Sequence, residues 1–96
     1  MTDPITKSSG NIFKDLGFPD YEAENLFIRS RLMFELGEFI KKEKLTQAGA
    51  AKLMGVKQPR ISDLVRGKID RFTIDMLVNM LAKIGLKIEV SLKKAA

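Results

Sequence analysis

The stretch from Leu45 to Gly67, LTQAGAAKLMGVKQPRISDLVRG, leaves this chain little freedom in how it folds. Pro59 can stand only in the first turn of a helix, where its missing amide costs nothing. Thr46 is an N-cap by type, its hydroxyl able to accept from an orphan amide of the turn it opens. The spacing predicts a short helix from Gln47 to Met54, with Ala50, Ala51, Leu53 and Met54 supplying apolar contacts. Gly55 follows as the left-handed residue of a sharp turn. A second helix is expected from Gln58 to Arg66, with Gly67 as its stop. Two helices about a glycine turn, the second opening on polar and basic side chains, make a helix-turn-helix. The competing reading is an ordinary helical hairpin in a small bundle.

Charge is laid over this motif. Residues 1–40 carry four basic and seven acidic side chains, a balance of −3. Residues 41–71 carry nine basic side chains against three acidic, a balance of +6, within a whole-chain charge of +5. A basic block on a candidate reading head is the electrostatic footprint of phosphate binding. The 96 residues contain no Cys and no His, which excludes thiolate and imidazole metal sites and Cys-His or Ser-His nucleophile pairs. No carboxylate cluster of metal-like spacing stands in for them, so neither an enzyme nor a cofactor is expected. MTDPITKSSG has no apolar core of a secretory leader, and no apolar run approaches a membrane span. A cytoplasmic protein is expected, nucleoid-associated when bound to DNA.

Residues 1–19 read as a tail interrupted by an apolar docking segment, Ile12, Phe13, Leu16 and Phe18. These side chains dock either on the chain's own core or a sister chain, or on a separate partner. Residues 20–85 form the main domain. Asp20 is the expected N-cap of a long helix whose Leu26, Phe27, Ile28, Leu32, Met33, Leu36, Phe39 and Ile40 recur at spacings of three and four. Thr73 opens a last helix with Ile74, Leu77, Val78, Leu81 and Ile84 inward, and Gly85 ends it. Residues 86–93, LKIEVSLK, change period from 3.6 to 2, placing Leu86, Ile88, Val90 and Leu92 on one face. A strand is expected there. A solitary strand is unstable, so it is read as a dimerisation strand pairing with a second copy, the alternative being a pairing with its own tail.

Leu45-Thr46-Gln47, Ala51, Gly55-Val56, Gln58, Ile61-Ser62, Leu64 and Arg66-Gly67 together resemble the XRE (Cro/CI-type) helix-turn-helix family over about residues 30–84. With NIFKDLGFPD before them and DRFTIDMLVNMLAKIG and the closing segment after, the chain is similar to antitoxins of HigA type over about residues 11–93. This implies an all-α, five-helix-type, lambda-repressor-like fold with a single C-terminal β-strand for dimerisation. It also implies a homodimeric repressor of its own, palindromic operator in double-stranded DNA, holding a RelE-superfamily toxin inactive. A phage-type or general regulator without a toxin is the alternative, and a pure protein-interaction module a more distant one.

The resemblance also implies paired glutamines. Gln47 would steady its partner and touch phosphate, while Gln58 would reach a base edge. Helical geometry agrees independently. With Ile61, Leu64 and Val65 inward, Gln58, Pro59, Ser62, Asp63 and Arg66 lie outward. Glutamine can pair bidentately with adenine, and Lys57 beside it reaches guanine or phosphate. Base reading is thus expected from Lys57, Gln58, Pro59, Ser62 and Asp63. Phosphate contacts are expected from Gln47, Arg60, Arg66, Lys68 and Arg71. Two positions depart from the family pattern. Lys57 stands where Ser or Thr is common, and Asp63 puts a negative charge on the groove-facing stripe.

Overall fold

A computed structural model describes residues 10–94. Within the segment read as a tail, Ile12–Asp15 forms a one-turn helix, α1. Asn11 caps it, its Oδ1 accepting from the amides of Phe13 (2.9 Å) and Lys14 (3.3 Å). The same side chain donates from Nδ2 to the Ala23 carbonyl at 3.0 Å, which ties α1 to the next helix. Residues 1–9 of the expected tail lie outside the described residues.

The long helix α2 spans Asp20–Lys42. Its cap position is held by Pro19, whose carbonyl accepts from the Ala23 amide at 2.8 Å. Asp20, expected as the cap, therefore lies in the first turn, where its charge still suits the helix dipole. Ala23, Leu26, Met33, Leu36 and Ile40 are the buried residues of α2.

The motif follows as expected. Thr46 caps α3, Gln47–Met54, by accepting from the Gly49 amide at 3.0 Å. Gly55 takes φ +70°. A Cβ there would also meet the Lys83 side chain at 2.8 Å, because that lysine lies across the turn. α4 spans Gln58–Val65 with Pro59 in its first turn, no side-chain cap at Lys57, and Gly67 at φ +70°. A short 3-10 turn, Ile69–Arg71, leads to α5, Ile74–Lys83, capped by Thr73. The core unites α2, α3, α4 and α5 around Leu36, Met54, Ile61, Phe72, Leu77 and Met80, the largest side chains sealed from solvent. Ala50 and Ala51 let α3 approach closely.

Three inward assignments turn out differently. Leu53, Val65 and Val78 are exposed, and Met80 is buried in place of Val78. The buried faces centre on Met54, on Ile61 with Leu64, and on Leu77 with Leu81. One residue is a rotation of about 100°, enough to carry a neighbour to the rim. Val65 there joins Phe13, Phe34 and Gly37 in lining an apolar groove between α2 and α4.

The C-terminal β-strand is the larger correction. The described residues contain no strand and the fold is all-α. After Gly85, at φ +84°, the Leu86 amide closes α5 on the Leu81 carbonyl at 3.0 Å, and residues 87–94 run on outside helix or sheet. Alternating sequence favours an extended backbone, but a strand exists only by hydrogen bonding to a neighbour, and no described segment supplies one. Leu86, Ile88, Val90 and Leu92 are exposed, the last two to 78% and 93%.

Candidate nucleic-acid interface

Gln47 and Gln58 stand at the first positions of α3 and α4, one behind each N-cap. The turn at Gly55 brings these helix starts together, and Gln47, Gln58, Pro59, Ser62 and Asp63 line one shallow depression. Gln58, Pro59 and Lys57 are exposed, while Gln47, Ser62 and Asp63 are half-buried. Lys57 belongs to an adjoining depression shared with Pro59, Arg60, Asp63 and Arg71. Lys57 supplies no side-chain cap to α4; Pro59 in its first turn carries no amide proton, and the Arg60 amide donates to the Lys57 carbonyl at 2.9 Å.

The basic residues divide in two. Arg66 and Lys68 follow α4, and neither these two nor Lys57 forms an ion pair among the described residues. Arg60 and Arg71 are engaged within the protein. The Arg60 guanidinium sits 5.6 Å from the centroid of the buried Phe72 ring and donates to the Arg71 carbonyl at 3.0 Å. Arg71 in turn lies 3.5 Å from the Asp63 carboxylate, with side-chain exposures of 54% and 17%. That pairing offsets the negative charge which the sequence places on the groove-facing stripe. Sequence reasoning treated both arginines as phosphate ligands and did not find these contacts.

It also passed over Arg29, on the scaffold helix α2. This side chain donates from Nε to Asn25 Oδ1 at 2.7 Å, and from Nη1 to the carbonyls of Ile69 (3.1 Å) and Phe72 (3.2 Å). A clue was present: Arg29 falls between Leu26 and Met33 at spacings of three and four, a charge on the buried stripe.

The described residues hold no group of acidic side chains able to bind a metal ion, and no helix long and apolar enough to cross a membrane. A family model described as a helix-turn-helix domain matches residues 12–93. A solved structure assigned to the XRE family of transcriptional regulators aligns with a TM-score of 0.71 at 31% identity, over 80% of this chain and 84% of that one. The chain belongs to the XRE family of helix-turn-helix regulators. None of the curated proteins matches it. As an XRE-family protein it is a DNA-binding transcriptional regulator, from a family that normally works by binding rather than by catalysis. In helix-turn-helix proteins the second helix of the motif is the one that enters the major groove, and here that helix is α4.

Proposed function

We propose that this XRE-family protein is a sequence-specific repressor that binds a palindromic operator as a homodimer and acts in the cytoplasm. The observation that carries the reading is the shared depression of Gln47, Gln58, Ser62 and Asp63 inside the basic block. α4 enters the major groove with Gln58 on a base edge, Gln47 bracing it, and Lys57, Pro59, Ser62 and Asp63 along the same edge. Arg66 and Lys68 hold phosphate, with Arg71 reaching phosphate from its ion pair. Repression needs no chemistry, since bound protein occludes the promoter. The exposed row Leu86, Ile88, Val90 and Leu92 is the surface a second copy covers.

The resemblance of the whole chain to HigA-type antitoxins supports a further role, as the antitoxin and autorepressor of a pair with a RelE-superfamily toxin. Phe13 of the docking segment is half-buried and stacks edge-on with Phe18 at 6.3 Å, whereas Ile12 and Leu16 face solvent. The first two side chains join α1 to its own chain, and the second two are offered to the toxin.

Base reading is tested by Gln58→Ala in gel-shift titrations against the DNA upstream of the gene. Specific affinity should fall by roughly 1–3 kcal/mol while affinity for unrelated DNA is unchanged. Unchanged affinity across a panel of site variants would place the reading head elsewhere.

A further inference from the structure

Arg29 makes no ion pair among the described residues. Its charge is directed instead at two backbone carbonyls, Ile69 and Phe72, some forty residues away in sequence. Hydrogen bonds from a charged donor are stronger than neutral ones, and Asn25, one helical turn back, fixes the aim of the guanidinium through Nε. The two carbonyls bracket the 3-10 turn between α4 and α5.

That turn is the mount for the rear of the reading head. The Arg71 carbonyl receives Arg60, the Arg71 guanidinium neutralises Asp63, and the Phe72 ring underlies Arg60. Asp63 lies in the same depression as Gln58 and Ser62. We infer that Arg29 is a positioning residue for DNA reading: from the scaffold helix it latches the Ile69–Phe72 turn and so holds Arg60, Asp63 and Arg71 in register with α4. Its effect on DNA rests on the reading of α4 given above, whereas the latch itself does not. If the turn loosens, Arg71 separates from Asp63, and an uncompensated carboxylate faces the groove. Discrimination between sequences then falls, beyond any loss of folded protein.

The test uses the full chain with Arg29→Met, which keeps the length and removes every donor, and Arg29→Lys, which keeps the charge without the planar fork. Amide hydrogen exchange follows the turn. Binding is measured on a duplex that the unaltered protein selects from a randomised pool and on a scrambled duplex of equal length. Arg29→Met should speed exchange at the Arg71 and Phe72 amides, which donate to Lys68 and Ile69 carbonyls, while the Leu81 amide in α5 stays protected. The ratio of selected to scrambled affinity should fall roughly tenfold, the worth of one base contact. Arg29→Lys should leave most of that loss in place. A merely structural residue lowers both affinities together and leaves the ratio intact. Unchanged exchange at the turn, an unchanged ratio over a loosened turn, or full rescue by lysine would each overturn the inference. Should the unaltered protein select no sequence, base reading by α4 fails. Exchange then decides the latch by itself, faster turn amides supporting it and unchanged ones overturning it.

Discussion

Arg60 and Arg66 both carry positive charge at α4, and they should respond to truncation in opposite ways. Arg60→Ala removes a guanidinium 5.6 Å from the Phe72 centroid and a hydrogen bond of 3.0 Å to the Arg71 carbonyl. A cation over an aromatic face at a half-exposed site is worth about 0.5–1 kcal/mol, and a partly solvated hydrogen bond adds about 0.5–1 kcal/mol. Together these terms put the expected destabilisation at about 1–2 kcal/mol, and lost packing of the aliphatic stem acts in the same direction. For a domain of this size each kcal/mol moves Tm by about 4–8 °C, so Arg60→Ala should melt roughly 4–16 °C lower. Arg66 follows α4 in the open, and Arg66→Ala should stay within about 0.5 kcal/mol of the parent. On DNA the order reverses. Arg66→Ala should reduce the slope of log affinity against log salt by about 1, the mark of one lost phosphate contact. Calorimetric melting and salt titrations of both variants supply the comparison. An Arg60→Ala protein that melts with the parent yet loses as much salt slope as Arg66→Ala would refute the assignment of Arg60 to contacts within the protein.

Two other expectations concern assembly and partners. Ile88→Asp with Val90→Asp should give a folded monomer by sedimentation, with operator affinity sharply reduced; a dimer of unchanged mass would remove this row from the interface. Ile12→Ser with Leu16→Ser should leave Tm unchanged, since both side chains are exposed, and abolish neutralisation of the cognate toxin in a growth assay; retained neutralisation would take α1 out of the toxin surface.

Features governed by near neighbours were legible in the sequence. Thr46 and Thr73 cap their helices because a hydroxyl need reach only three residues ahead. Gly55 and Gly67 take positive φ where a sharp reversal demands it. Those local signals place the two glutamines together, so the front of the candidate site was readable. Its rear was not, because Arg60 meets Phe72, and Arg29 meets Ile69 and Phe72, only through tertiary folding. Sequence displays the charge of an arginine but not what it faces. α1 was missed for a different reason: one turn is too short to show a period, and its definition comes from Asn11. The expected strand failed because alternation reports a preferred backbone conformation, whereas a ladder requires a partner.

The uncovered row from Leu86 to Leu92 also bears on how a regulator of this kind responds to its own abundance. On the proposed pairing through that row, the dimer is the species that meets a two-fold operator. While monomer predominates, the concentration of dimer, and with it the initial rise of promoter occupancy, grows with the square of total protein. Halving the amount of protein then cuts the DNA-competent form about fourfold, by mass action alone. Such a circuit stays open through small fluctuations and closes steeply once a threshold is passed. The steepness would come from the seven residues Leu86 to Leu92, beyond the last helix, rather than from anything in the reading head.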